Sequence, residues 1–162
     1  MCELTITVDS SFRKNRAYSG VVFSLEPEKC YIFEQRVKNS SEAEFNGAVL
    51  AIEEALERFA NDNVDKITLL TDSLNCLNTF FPREVRDQGI QSKILTGIRL
   101  KNLLNEKGIK FEANNFPRNT TDELYVCDGI ARAYLNGKGV DELSSFRTGK
   151  NYLIEKLNRE LK

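Results

Sequence analysis

A long apolar stripe at helical spacing, set between two strand-like segments, constrains the fold of this chain most strongly. Seven apolar residues recur near the 3.6-residue period of an α-helix: Phe45, Ala48, Val49, Ile52, Ala55, Leu56 and Phe59. Before them, Leu4, Ile6 and Val8 alternate with polar residues, and after them Lys66 to Thr71 is rich in apolar residues. A helix that crosses between two strands predicts a β-α-β unit with a parallel strand pair.

The remaining segments predict an α/β domain with five strands. Two further strands, Tyr18 to Leu25 and Cys30 to Val37, are separated by predicted turns at Phe12–Ala17 and Glu26–Lys29, which indicates an antiparallel meander. After the fourth strand come a short helix, a loop and a helix from Ser92 to Glu106. A fifth strand follows, and then a last helix begins at Asp122 or Val126 and ends near Leu135.

The composition excludes several kinds of chemistry. The 162 residues favour a single domain, and they include no histidine, so a Ser-His-Asp or Cys-His nucleophile is impossible. The four widely spaced cysteines predict free thiols rather than a zinc site. We expect a cytoplasmic protein, because no segment is typical of a signal peptide or a membrane span. The net charge of −1 does not by itself indicate a nucleic-acid partner.

Acidic residues follow two of the predicted strands. Asp9 and Asp72 each come directly after an apolar strand segment, and Glu44 lies in the first turn of the intervening helix. Ligands of α/β sheets gather at the carboxyl ends of parallel strands, so we expect the three carboxylates to converge. Oxygen-rich clusters of this kind suit Mg²⁺. Each residue also has a structural explanation, because Ser41 and Glu44 have the form of a capping box and Asp72 is a candidate N-cap.

Three motifs make the chain resemble the ribonuclease H family over about residues 3 to 136. Val8-Asp9-Ser10-Ser11 is similar to the family's first motif, and the run Ser41 to Ala48 is similar to the second, whose Glu begins the long helix. Leu70-Thr71-Asp72-Ser73 matches the third, Thr-Asp-Ser. The resemblance implies a mixed five-stranded sheet, a meander of three strands plus parallel strands, with helices on both faces. Residues 1–139 would form this domain, and residues 140–162 would be its C-terminal helical extension.

The resemblance also implies a fourth acid in the last helix, for which the chain offers two residues. Asp128 lies in Cys127-Asp128-Gly129-Ile130-Ala131, which reproduces the family's Asp-x-apolar-Ala run, whereas Asp122 has the Asp-Glu-Leu continuation seen in many relatives. We prefer Asp128 and keep Asp122 as the second choice. Asp9, Glu44, Asp72 and Asp128 would then hold two Mg²⁺ or Mn²⁺ ions. One ion would activate a water and the other would stabilise the departing 3′ oxygen.

The implied activity is hydrolysis of the RNA strand of RNA/DNA hybrids by a monomeric endonuclease. The substrate-binding residues would be Ser11, Ser40, Ser41, Ser73 and Asn119. Hydroxyl groups before the second acid could reach the ribose 2′-OH groups that distinguish RNA from DNA. Asn119 stands where many relatives carry a loop histidine, which predicts slower turnover. Two alternatives remain: a catalytically weak nucleic-acid-binding module of the same fold, and a metal-dependent DNA nuclease such as a junction resolvase.

Overall fold

Five strands form one mixed sheet in the computed structural model of the protein, which describes residues 2–73, 76, 91–115 and 122–136. The strands are β1 (Cys2–Arg13), β2 (Arg16–Phe23), β3 (Glu26–Arg36), β4 (Val64–Thr71) and β5 (Lys110–Asn115). The described helices are α1 (Ser40–Arg58), α2 (Gln91–Glu106) and α3 (Asp122–Leu135). The strand order is β3-β2-β1-β4-β5. β1 is antiparallel to β2 and parallel to β4, which confirms the predicted meander and parallel pair.

The two hairpins of the meander are tighter than the sequence predicted. Lys14 and Asn15 connect β1 to β2, and both have positive φ angles, 49° and 64°. A two-residue hairpin turn requires such angles if it is to match the twist of the two strands. The predicted turn at Glu26–Lys29 is wrong, because β2 and β3 are joined at Ser24 and Leu25. Pro27 instead lies in β3, an edge strand, where the register shifts and a missing N–H is tolerated.

The start of α1 also differs from the prediction. Asn39 is the N-cap, and its side-chain oxygen accepts a hydrogen bond from the backbone N–H of Glu42 at 2.8 Å. The predicted capping box of Ser41 and Glu44 is therefore wrong, since both residues already lie within the helix. The consequence for the acidic cluster is direct: Glu44 is not the N3 partner of the cap.

Helices cover both faces of the sheet, as predicted. On one face, α1 and α2 pack against a core that includes Ile6, Val21, Ile52 and Leu104. On the other face, α3 packs on a second cluster that includes Val22 and Ile130. Val21 and Val22 are neighbours in β2 and serve opposite cores, which is the two-residue alternation of a strand.

Glycine 20 lets α3 approach the sheet closely. A Cβ atom at Gly20 would lie 2.7 Å from the backbone oxygen of Cys127 and 2.9 Å from its Cα.

The four cysteines are free thiols, which confirms that prediction. Among the described residues, no helix combines the length and the apolar character that a membrane span requires. The short helix predicted after Ser73, the loop from Pro82, and residues 140–162 lie outside the described residues.

Candidate metal centre

The candidate site lies where β1 and β4 part. Their parallel pairing ends at Thr7 and Leu70, and extending that register by two residues places Asp9 opposite Asp72. β4 ends at Thr71, whereas β1 continues to Arg13 along β2. The prediction that β1 ends at Asp9 is therefore wrong, yet Asp9 still lies beside the end of β4. Its side chain is buried, with 4% of its surface exposed.

Three of the predicted acids converge at this point. Asp9, Asp72 and Glu44 each offer a carboxylate oxygen, and the three oxygens lie within 4.8 Å of one another. Glu44 comes from the first turns of α1, which the crossover from β3 returns to this edge. The hydroxyl of Ser73 accepts a hydrogen bond from the N–H of Cys76 at 3.1 Å, as an N-cap side chain does, whereas the N–H groups that Asp72 would cap lie outside the described residues.

The negative charges of the cluster oppose the ionisation of Asp9. Burial raises the pKa of Asp9 to about 9, and the charges of Glu44, Asp72 and Asp128 add to the effect. A single hydrogen bond, from the backbone N–H of Ser10 to Asp9 Oδ1 at 3.0 Å, acts in the opposite direction. A bound cation would relieve this repulsion, and three convergent carboxylate oxygens are ligands that Mg²⁺ and Mn²⁺ prefer. The residues present therefore fit a hard divalent ion.

Cys76 lies near the cluster but is unsuited to bind a metal. Its side chain is buried, and burial together with the charge of Glu44 raises the pKa of the Cys76 thiol well above its ordinary value. A thiol that keeps its proton is neither a good ligand nor a nucleophile. The donor set among the described residues is accordingly made of oxygen atoms.

Asp128 is close enough to influence Asp9 but is held by another partner. It is buried in α3, with 6% of its surface exposed, and its charge contributes to the raised pKa of Asp9. The Arg132 guanidinium donates to both carboxylate oxygens of Asp128, at 3.0 and 2.7 Å. Asp128 is not among the three acids that lie within 4.8 Å of one another. Asp122 is the first residue of α3, and its side chain lies outside the described residues.

The predicted substrate-binding serines lie within a few residues of the three acids in the sequence. Ser40 is exposed at the start of α1, and Ser41 beside it is half-buried. Ser11 is half-buried two residues beyond Asp9 on β1. Ser73 follows Asp72, and its N–H donates to Thr71 Oγ1 at 3.1 Å. Asn119 lies outside the described residues, and the substrate roles of all five residues remain predictions.

Two features of the site escaped the sequence analysis. Asp128 and Arg132 are four residues apart on one helix, and this spacing could have predicted their ion pair. A hydrogen-bonded set of polar side chains, the buried Ser19 and Gln35 and the half-buried Ser10, lies beneath the first turns of α1. Ser19 and Gln35 occupy inward positions of strands, where local patterns predict apolar residues. The only hint was Gly47 in the middle of a helix, since such a glycine often marks a close approach.

Solved ribonuclease H structures share this fold. The crystal structure of RNase H1 from the halophilic archaeon Halobacterium salinarum NRC-1 matches with a TM-score of 0.63 and 19% identity, over 84% of this chain and 99% of that one. LC11-RNase H1, isolated from compost by a metagenomic approach, matches at 0.64 and 18%, over 85% of this chain and 98% of its own.

The same LC11-RNase H1 in complex with an RNA/DNA hybrid matches with a TM-score of 0.62 and 19% identity, over 82% of this chain and 99% of that one. No family model and no curated protein matches the sequence. The structural matches confirm the predicted ribonuclease H-like fold, a mixed sheet with helices on both faces.

Proposed function

We propose that the protein is a metal-dependent endonuclease that hydrolyses the RNA strand of RNA/DNA hybrids. The observation that carries this proposal is the convergence of the Asp9, Glu44 and Asp72 carboxylates within 4.8 Å on a ribonuclease H-like fold. A structurally similar protein, LC11-RNase H1, has been solved in complex with an RNA/DNA hybrid. The absence of histidine from the chain suits a mechanism that depends on carboxylates.

In this proposal, Asp9, Glu44, Asp72 and Asp128 hold two Mg²⁺ or Mn²⁺ ions. Bound ions of this kind activate a water as the nucleophile and stabilise the charge that develops on the leaving oxygen of a phosphodiester. Asp9 is the central ligand, because the charges of the other three acids all act on it. The Ser10 N–H, which donates to Asp9 Oδ1 at 3.0 Å, would keep that carboxylate oriented as its proton leaves.

Arg132 has a separate task in this proposal. It binds both oxygens of Asp128 and so neutralises the fourth acid before a second cation arrives. More than half of the Arg132 side chain is exposed, so its guanidinium can move into water when the cation displaces it. The fourth acid would then complete the set, and the loss of this ion pair would be set against the metal affinity.

The hydroxyl groups near the cluster would distinguish the substrate. Ser40 and Ser41 precede Glu44 at the start of α1, where their side chains could contact 2′-OH groups across the minor groove of a hybrid. Ser11 and Ser73 flank the acids on the two parting strands, and Ser73 would contact a backbone phosphate. Asn119, which stands where many relatives carry a loop histidine, lacks the proton-transfer capacity of a histidine, so turnover is expected to be slow.

A cleavage panel tests the proposal. Labelled RNA/DNA hybrid, double-stranded RNA, duplex DNA and branched DNA are incubated with the full chain and either Mg²⁺, Mn²⁺ or a chelator. We expect metal-dependent cuts in the RNA strand of the hybrid. Asp9→Asn and Asp72→Asn should each abolish them. Asp65→Asn is the matched control, because Asp65 lies near the start of β4, about 23 Å along the strand direction from Asp72.

The other outcomes separate the alternatives. Binding of the hybrid without cleavage in either metal would indicate the catalytically weak module. Preferential cleavage of branched DNA would indicate a junction resolvase. Near-normal hybrid cleavage by both Asp9→Asn and Asp72→Asn would overturn the assignment of the metal centre.

A further inference from the structure

A closed ring of hydrogen bonds lies beneath the first turns of α1. Gln35 on β3 donates through Nε2 to the Ser19 hydroxyl on β2 and to the backbone oxygen of Ala43 at 3.1 Å. The hydroxyls of Ser19 and Ser10 share a hydrogen bond of 2.6 Å, and Ser10 Oγ donates to the same Ala43 oxygen at 3.3 Å. The ring therefore ties three strands of the meander to one carbonyl group of α1.

The direction of each hydrogen bond in this ring is determined by the groups that form it. A serine hydroxyl has one hydrogen, and a backbone carbonyl has none. Because Ser10 gives its hydrogen to Ala43, the hydroxyl of Ser19 must donate to Ser10 and accept from Gln35. Both branches thus start at the Gln35 amide and end at Ala43, so Gln35 is the donor on which the arrangement depends.

The ring adjoins two of the three convergent acids along the chain. Ser10 follows Asp9 on β1, and Ala43 precedes Glu44 on α1. Gly47, one turn further along α1, permits the close contact, because a Cβ atom there would lie 2.9 Å from Ser10 Oγ and would collide with the Ser19 hydroxyl. The depth at which α1 sits on these hydroxyls therefore sets how far Glu44 lies from Asp9.

Folding stability does not explain the choice of glutamine. Gln35 is buried, with 7% of its surface exposed, and its Oε1 atom has no hydrogen-bond partner within the part of the chain that the structure describes. A buried acceptor left in this state costs free energy that a methionine of similar size would not cost, and this difference offsets the two Nε2 hydrogen bonds that methionine would lose. Apolar neighbours are at hand, since Ala17, Val37 and Ala43 form a small buried cluster at this end of the sheet.

We propose that Gln35 and Ser19 are positioning residues, which seat α1 so that the Glu44 and Asp9 carboxylates are spaced to bind a divalent ion. This inference rests on the proposed function for its biological purpose, but it concerns metal affinity and can be measured without nucleic acid. Residues that orient metal ligands typically change affinity by about 10- to 100-fold when they are replaced.

The experiment measures Mn²⁺ binding to the full chain by electron paramagnetic resonance, together with the urea midpoint of the metal-free protein. Gln35→Met and Ser19→Ala are compared with wild type. Ser24→Ala is the matched control, because its hydroxyl also binds β1, by accepting from the Thr5 N–H at 2.8 Å, but it does so from the turn between β2 and β3, away from Asp9. We expect about a tenfold higher Mn²⁺ dissociation constant for Gln35→Met and Ser19→Ala. Ser24→Ala should bind as wild type does.

The urea midpoint distinguishes positioning from a merely structural role. Gln35→Met loses two hydrogen bonds together with one unpartnered buried oxygen, so it should unfold at nearly the same urea concentration as wild type while its Mn²⁺ affinity falls. Unchanged affinity in both ring variants would overturn the inference, and so would an affinity loss accompanied by an equal loss in the Ser24→Ala control.

Hybrid cleavage, followed in the same samples, separates this inference from the proposed function. At saturating Mn²⁺ the ring variants should regain most of the wild-type kcat with an unchanged KM for hybrid. A wild-type chain that binds Mn²⁺ through Asp9 yet cuts no hybrid would refute the nuclease function and leave the positioning inference supported by the affinities. A wild-type chain that binds no Mn²⁺ would overturn both.

Discussion

Replacing Asp9 by Asn should stabilise the metal-free protein while it destroys the metal site. Asp9 is buried, and two other carboxylate oxygens lie within 4.8 Å of its own. Two unit charges at that separation repel by about 3.5 kcal/mol at an effective dielectric constant of 20. The folded protein avoids this repulsion by keeping a proton on Asp9, whereas asparagine is neutral without one and keeps nearly the same volume, so the cost should disappear without a cavity.

The pH dependence gives the sign and the size of the effect. The pKa of Asp9 is raised to about 9 in the folded protein, whereas an unfolded chain has the ordinary aspartate value of about 3.9. Between these values the folded state holds a proton that the unfolded state has released. The free energy of unfolding must therefore fall as pH rises from about 4 to about 9, by at most about 1.4 kcal/mol per pH unit. Asp9→Asn lacks this proton and should lack this slope.

Urea denaturation of wild type, Asp9→Asn and the Asp65→Asn control at pH 5, 6, 7 and 8, with a chelator present, measures the difference. We expect the free energy of unfolding of Asp9→Asn to exceed that of wild type by a larger amount at each higher pH, and by a few kcal/mol at pH 8. Added Mg²⁺ at 100 times its dissociation constant should raise wild-type stability by about 2.7 kcal/mol and leave the variant unchanged. Parallel pH profiles for Asp9→Asn and wild type would refute the electrostatic reasoning.

Three further substitutions test other parts of the structure. Gly20→Ala places a Cβ atom 2.7 Å from the Cys127 backbone oxygen, and we expect a loss of about 1–3 kcal/mol of stability; a wild-type urea midpoint would contradict the close approach of α3. Asn39→Ala removes the cap of α1 and should lower the free energy of unfolding by about 1 kcal/mol in urea denaturation. An unchanged value would show that Asn39 does not cap the helix. Arg132→Gln removes the cation that pairs with Asp128 at 2.7 Å, so half-saturation should need several-fold less Mn²⁺ in calorimetric titration; an unchanged affinity would show that Arg132 does not compete with the metal.

The sheet and its helices were predictable because their patterns are local and repeated. The stripe from Phe45 to Phe59 covers several turns, and a helix of that length between two apolar strands has few possible connections. The turn assigned to Glu26–Lys29 failed for a different reason. Proline and charged residues mark turns in most contexts, but an edge strand with a register shift also accepts them, and only the pairing of β3 with β2 distinguishes the two.

The identity of the acids was more accessible than their environment. Asp9 and Asp72 were expected at the ends of neighbouring parallel strands and Glu44 at the start of the helix between them, so topology alone predicted that they would converge. The structural explanation for Glu44 fails on a single contact that no local pattern specifies, because Asn39 caps α1 instead of Ser41. The carboxylate of Glu44 therefore has no capping task to compete with the metal.

The separation of the carboxylates depends on contacts that are remote in the sequence. Asp9 lies on β1 and Glu44 on α1, and the distance between them is set by how closely the helix approaches the sheet. That approach depends on Gln35 and Ser19, which stand 9 and 25 residues before Glu44 and carry no motif of their own. A sequence pattern can thus name the ligands of a site of this kind, whereas its metal affinity is decided by buried polar groups that only the folded chain brings together.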